Sequence, residues 1–300
     1  MNYRLLNAIR DIQVASKECN LYSGSIDGAW GKGSASGVTS LLDDYNYRVN
    51  GSRAHTSPLP VILASQDNTS ALKGIQNNLK LLKLYEGDVD GVMGPGTWNA
   101  FRKVVASYRA YNKVPFLDIG WSKKVTKAFI KKVEDWCKKH NMDERAPSWL
   151  MACMHFETGG TFSPTIRNGA GAYYFGLIQF GKDAASDMGT TVDYLITLTA
   201  EQQLDWVFKY FEMWMKRGKV YTRLEDFYLT IFYPAAVGKK PDEVIFNRDI
   251  EKQKLGYTQN KGFDFDKDGK ITVGEINTRL YTTYYDGMLP QNRVVLNQNY

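Results

Sequence analysis

The sequence predicts an all-α chain, and three observations carry that reading. The first third repeats itself as helix, tight turn, helix. An apolar run in the middle is bounded by helix start and stop signals, and an acidic loop near the C-terminus leads into a further helix. Three hundred residues with 43% hydrophobic content suffice for two or three domains with true cores.

In the repeat, Ile12-Gln13, Leu21-Tyr22, Gly24, Asp27-Gly28 and Gly31 recur as Ile75-Gln76, Leu84-Tyr85, Gly87, Asp90-Gly91 and Gly94, every pair offset by 63. So many matches in one register mark a duplicated unit. Each copy reads as an amphipathic segment, a compact Gly-x-x-Asp-Gly-x-x-Gly loop and a second helix, which in copy two begins near Thr97-Trp98. Asp-Gly is first of all a turn former, and a turn can also bind. Between the copies, the stretch from Gly51 to Pro60 holds turn formers and two prolines and reads as a linker. The expected boundaries are 1–52 for repeat 1, 53–63 for the linker, 64–114 for repeat 2 and 120–300 for a remaining domain. Both copies resemble the small three-helix peptidoglycan-binding domain, copy two more closely through Gly87-Asp-Val-Asp-Gly-Val-Met-Gly-Pro-Gly-Thr-Trp98. That resemblance implies that Asp27, Gly28, Asp90 and Gly91 and their neighbours contact glycan or stem peptide. Two tethered modules would raise the effective concentration on a polymeric ligand.

In the remaining domain, Pro147-Ser148 starts a helix, Trp149 to Phe156 is apolar, Glu157 follows, and Gly159-Gly160 stops it. A carboxylate in the last turn of such a helix is disfavoured by the helix dipole and by desolvation, and both raise its pKa. A carboxylic acid still protonated near neutral pH can protonate a departing sugar oxygen. The bland alternative is a surface glutamate at a frayed helix end. Gly176-Leu-Ile-Gln-Phe180, preceded by Ala172-Tyr-Tyr-Phe175, and Phe232-Tyr-Pro-Ala-Ala-Val-Gly238 follow in order. These three segments, over roughly residues 145–245, resemble the goose-lysozyme-like lytic transglycosylases, especially modular endolysins of phages that infect Gram-negative bacteria. The resemblance implies a lysozyme-like helical domain in which Glu157 is the catalytic acid/base. It also implies substrate contacts from Thr158, Tyr174, Gly176, Gln179, Phe180 and Tyr233, with Tyr233 orienting the glutamate. Thr158 keeps the hydroxyl of the family's Ser, whereas Pro234 stands where the family has Asn.

The product depends on what the glutamate deprotonates. Attack by the muramic C6 hydroxyl gives a 1,6-anhydro end and needs no second carboxylate; attack by water makes a muramidase and usually wants one. No acidic residue lies between Thr158 and Lys182; Asp183 and Asp187 are the nearest downstream, and Asp183 reads better as a solvated helix-face residue, so the anhydro route is favoured. The stretch His155-Phe-Glu157-Thr-Gly-Gly is also similar to chitinase-type endolysins. Those use a second glutamate soon after, and none occurs here before Glu201. His155 reads as a packing or hydrogen-bonding residue.

Asp264-Phe-Asp266-Lys-Asp268-Gly-Lys270-Ile-Thr272-Val-Gly-Glu275 fits the EF-hand loop at every diagnostic position. Asp264, Asp266, Asp268 and Glu275 offer carboxylates, Lys270 its carbonyl, and Thr272 the ninth position, so a structural Ca2+ is expected, with no cofactor in catalysis. The competing reading is a polar turn followed by a Thr272/Glu275 capping box. Gly256 to Gly262 reads as a poor helix, so a lone loop is expected and not a paired sensor.

The net charge of +6 is spread over scattered lysine pairs without a zinc-finger, RNP or helix-turn-helix signature, which argues against nucleic acid. Cys19, Cys137 and Cys153 are odd in number and far apart, so reduced structural thiols are expected. Neither a signal peptide nor a membrane helix is visible. The expectation is therefore a monomer made in the cytoplasm that acts on peptidoglycan in the periplasm, after holin release or from a virion. Its rivals are a hydrolytic muramidase and a non-catalytic wall-binding or virion structural protein.

Overall fold

The computed structural model describes residues 3–50, 58–167, 169 and 172–296. Among them are twelve α-helices and four short strands, so the chain is mostly helical. Two compact units form: one runs to Leu117 and takes in Val295–Leu296, the other spans Asp118–Val294. No helix among the described residues is long and apolar enough to cross a membrane.

The first unit consists of α1 (Tyr3–Glu18), α2 (Lys32–Asn50), α3 (Asn68–Leu81) and α4 (Pro95–Tyr111), with β1 (Phe116–Leu117) paired antiparallel to Val295–Leu296. Each copy thus supplies two α-helices among the described residues, where the resemblance implies three. The copies share one core, in which Ile9, Ile12, Val38 and Leu41 meet Leu72, Ile75, Phe101 and Val104. Polar contacts also cross between them: Trp30 Nε1 donates to Leu63 O at 3.0 Å, Asn68 Nδ2 to Gly28 O at 2.9 Å, and Arg109 pairs with Glu18 at 2.8 Å, both side chains buried. Of the expected linker, 53–57 lies outside the described residues. The part that follows is packed, with Ile62 buried in the core and Pro60 O accepting from Asn78 Nδ2. The two copies thus pack as one compact unit, the apolar faces of their four helices closing on each other.

The second unit holds α5 (Lys127–Lys139), α6 (Ala146–Glu157), α7 (Lys182–Asp187), α8 (Val192–Leu195), α9 (Ala200–Lys216), α10 (Leu224–Phe232), β2 (Val244–Asn247), α11 (Glu251–Asn260), β3 (Lys270–Thr272) and α12 (Val273–Gly287). At its centre lies α6, buried without a break from Ala146 to Met154 and packed on α5, α10 and α12. That all-round burial explains its lack of a polar face. β2 and β3 pair antiparallel, with a bulge between Val244 and Phe246.

One expectation is corrected here. The segment entering the acidic loop is helical, because α11 reaches Asn260 and a 3-10 turn follows over Lys261–Phe263. Its glycine has a packing reason: a Cβ on Gly256 would come within 2.5 Å of the Phe246 ring, so only glycine lets α11 lie against β2. Tertiary contact has overridden poor propensity.

Candidate active site

Glu157 is the last residue of α6. The helix stops there because Thr158 and two left-handed glycines turn the chain. Thr158 Oγ1 donates to Met154 O at 2.7 Å and accepts from Phe162 N at 3.0 Å, while Gly160 N donates to His155 O at 2.8 Å. Thr158 is fully buried, so its hydroxyl is committed to capping. His155 stacks on Trp121 with centroids 3.6 Å apart, and burial lowers its pKa to about 4, so it is a neutral packing residue.

Glu157 itself is half-buried. Burial raises its pKa from 4.5 to about 7. Among the described residues its carboxyl has neither a hydrogen bond nor an ion pair, so no neighbouring cation holds it ionised. Its charge reaches Cys153, one turn back in α6, and Tyr228 on α10, whose pKa values are pushed up first by desolvation and then by Glu157. Tyr228 also packs edge-on to Phe156, with centroids 5.4 Å apart.

Tyr233, expected to orient the glutamate, has no hydrogen bond to it; it is 39% exposed and its ring lies against Phe246. Pro234 supplies the reason. It begins a 3-10 turn and holds Tyr233 out of helical geometry at φ −156° and ψ 84°, so α10 ends before it. Tyr228, inside the helix, is the tyrosine that the charge of Glu157 reaches.

The segment after α6 folds into a tight loop in which Phe175 and Phe180 exchange backbone hydrogen bonds of 3.2 and 2.7 Å. Gly176 has φ +82°, and a Cβ there would fall 2.3 Å from Gln203 Oε1. Gln203, fully buried on α9, accepts from Leu177 N at 2.8 Å and donates to Pro164 O and Leu195 O, tying two loops to the end of α8. Gln179 also takes a left-handed φ of +53°, a sparsely populated conformation for a residue with a side chain. Its Nε2 donates to Gly176 O and Ile166 O, while its Oε1 is buried and accepts nothing from the described residues.

Gln179 lines a groove of about 370 Å3 together with Tyr173, Tyr174, Asp183, Tyr210 and Ile231. Of the expected substrate-binding residues the groove takes in Tyr174, Gln179 and Phe180, the last of them buried; Glu157, Thr158, Gly176 and Tyr233 are not among its lining residues. On α10, Ile231 lines the groove one helical turn after Tyr228, which the charge of Glu157 reaches. Asp183, expected to be a plain surface residue, is exposed and lines the groove, and no described residue pairs with it. Glu201 is occupied elsewhere, accepting from Thr126 Oγ1 at 2.7 Å. Tyr228 and Gln203 carried no motif. The signal available for Tyr228 was helical phase, which places it on the same side of α10 as Ile231.

In the repeats, Asp27 and Asp90 are used internally. Gln13 and Gln76, buried at equivalent positions, each donate to the aspartate at 2.8 Å and accept from the N–H of Gly28 or Gly91 at 2.9 or 2.8 Å. Each aspartate also accepts from the backbone two residues on, and these bonds hold its carboxyl below the ordinary range.

Near the C-terminus, Asp264, Asp266 and Asp268 bring carboxylate oxygens within 4.8 Å of one another and could hold a metal ion. The residues fit in part. Asp264 Oδ1 is buried and accepts nothing from the described residues, which suits a cation, while Oδ2 accepts from Tyr257 Oη and Gly269 N. Both oxygens of Glu275 are engaged: Oε1 accepts from Phe265 N, and Oε2 from Thr272 N and Oγ1. The Thr272/Glu275 capping box therefore exists alongside the acidic cluster. Lys270 contributes its backbone within β3. Cys19, Cys137 and Cys153 are buried and free, with the thiols of Cys19 and Cys137 pushed up to about 12 by burial.

No protein-family model and no curated protein matches the chain.

Proposed function

We infer that the chain is an endolysin that cleaves the β-1,4 bond between N-acetylmuramic acid and N-acetylglucosamine in bacterial peptidoglycan, with Glu157 as acid and then base. One observation carries this reading: a half-buried glutamate at the end of a buried helix, its carboxyl raised to about 7 by burial and free of any described partner. Such a group is protonated often enough to give its proton to the glycosidic oxygen as the C1–O bond breaks, and the carboxylate it leaves steadies the oxocarbenium-like sugar. It then takes the proton of the muramic C6 hydroxyl while O6 bonds to C1. That regenerates the acid and leaves a 1,6-anhydro end. Gln179 would lie against the sugar chain in the groove it lines with Tyr173, Tyr174 and Asp183.

A second reading, hydrolysis by water, is favoured by Asp183, which places an unpaired carboxylate in the same groove. In either case the repeats would hold the enzyme on the wall. Asp264, Asp266 and Asp268 would hold a Ca2+ whose charge offsets their mutual repulsion and braces the loop between α11 and α12. The protein would act as a monomer on the periplasmic wall. A third possibility, a wall-binding protein without activity, is separated by turbidity loss of outer-membrane-permeabilised Gram-negative cells. Wild type clears the suspension and Glu157→Ala does not; equal clearing by both refutes the enzymatic reading.

A further inference from the structure

We propose that Tyr173 and Tyr174 form a sugar-stacking subsite at the rim of the groove, which takes the pyranose faces of a β-1,4-linked N-acetylhexosamine chain. The proposal rests on the glycosidase reading above and extends it to how the strand is held. Both tyrosines are about half exposed, at 50% and 47%, and both line the groove with Gln179. Exposed tyrosines ordinarily rotate freely, yet these two are fixed from different sides. Tyr173 donates its hydroxyl to Asp193 Oδ1 at the start of α8 and sets its ring edge-on to Phe175, centroids 5.0 Å apart at 75°. Phe175 is in turn locked in the backbone pairing with Phe180.

The Tyr174 ring packs against Gly181, where a Cβ would come within 2.4 Å of its ring carbon Cε1. Gly181 has φ −96° and ψ 170°, which any residue adopts, so its backbone gives no reason for glycine. The ring gives one. Two aromatic faces held before the ligand arrives lose little rotational freedom on binding, which is what a stacking platform requires.

The chemistry of the groove selects the ligand. A pyranose offers an apolar C–H face and polar edges, and here an aromatic pair adjoins the exposed Asp183 carboxylate and Lys182. A phosphate backbone would be opposed by Asp183 and meets no basic stripe there.

The test uses the full chain carrying Glu157→Gln, so that no turnover occurs, titrated calorimetrically with the N-acetylglucosamine hexamer. The hexamer binds, and Tyr173→Ala/Tyr174→Ala weakens it at least tenfold, the scale of losing an aromatic platform under a stacked ring. Gly181→Ala keeps both rings but displaces one, and weakens binding several-fold. Tyr173→Phe keeps the ring and loses only the Asp193 anchor, and falls between parent and double variant. Circular dichroism confirms that each variant is folded, and the two single variants decide the matter if the double variant is not. No hexamer binding by the parent, or equal affinity in folded variants, overturns the proposal. Clearing by wild type and not by Glu157→Ala judges the glycosidase reading separately, so either idea can fail alone.

Discussion

Replacing Glu157 by Gln should stabilise the protein, and only above a definite pH. The carboxyl titrates at about 7 in the folded chain against 4.5 ordinarily. Below pH 4.5 it is protonated in both folded and unfolded chains and costs nothing. As pH rises from 4.5 to 7 the unfolded chain gives up its proton first, so the folded state loses stability; above 7 both forms are ionised and the full cost is present. At 1.36 kcal/mol per pH unit this cost is about 3 kcal/mol, which we reduce to about 2 kcal/mol for the part of the side chain that reaches water. Glutamine has the same shape and cannot ionise. Glu157→Gln should therefore match wild type at pH 4 and exceed it by about 2 kcal/mol at pH 8, a rise of roughly 4–8 °C in the melting temperature of a unit this size. Scanning calorimetry of the full chain at the two pH values reads this directly. An equal shift at both pH values, or a lower Tm at pH 8, would refute the assignment of a buried, unpartnered acid.

Three further outcomes follow from the packing. Gly176→Ala places a methyl against Gln203 and forces an alanine to φ +82°; it should cost about 2–3 kcal/mol in denaturant unfolding and lower activity by loosening the loop that carries Gln179. Gln76→Ala removes the partner of Asp90, Gly91 and Thr97 at once, and should destabilise by about 2–3 kcal/mol, with Gln13→Ala costing a similar amount in the other copy. Millimolar Ca2+ should raise the Tm of wild type and not of Asp266→Ala, the two melting together in excess chelator, whereas Glu275→Ala should melt lower even in chelator because it also breaks the cap of α12.

What the sequence made legible was local. The 63-residue repeat, the stop of α6 at the glycines after Glu157 and the acidic loop were readable because each depends on turn chemistry within a few positions. What escaped it depends on residues distant in sequence. Nothing local says that Glu18 will pair with Arg109, 91 positions away, or that two repeats will close on one core. α11 was hidden because its glycine answers to the Phe246 ring and not to helix propensity. Tyr233 drew attention through its motif, but Pro234 ends the helix beside it, and the tyrosine that the Glu157 charge reaches is Tyr228, a residue with no motif. Gln203 could be read only as a polar residue in a helix, since its partners Pro164 and Leu177 come from two loops and Leu195 from the end of α8.

The central claim is that Glu157 drives cleavage of the muramyl bond, and mass spectrometry of muropeptides released from purified sacculi tests it most directly. Wild type should release fragments ending in 1,6-anhydro-muramic acid, one water lighter than reducing ends, and Glu157→Gln should release them at least about a hundredfold more slowly, the usual worth of a general acid. Reducing ends would redirect the reaction to water and bring Asp183 into it; release by Glu157→Gln at the wild-type rate, or no release by wild type, would contradict the account.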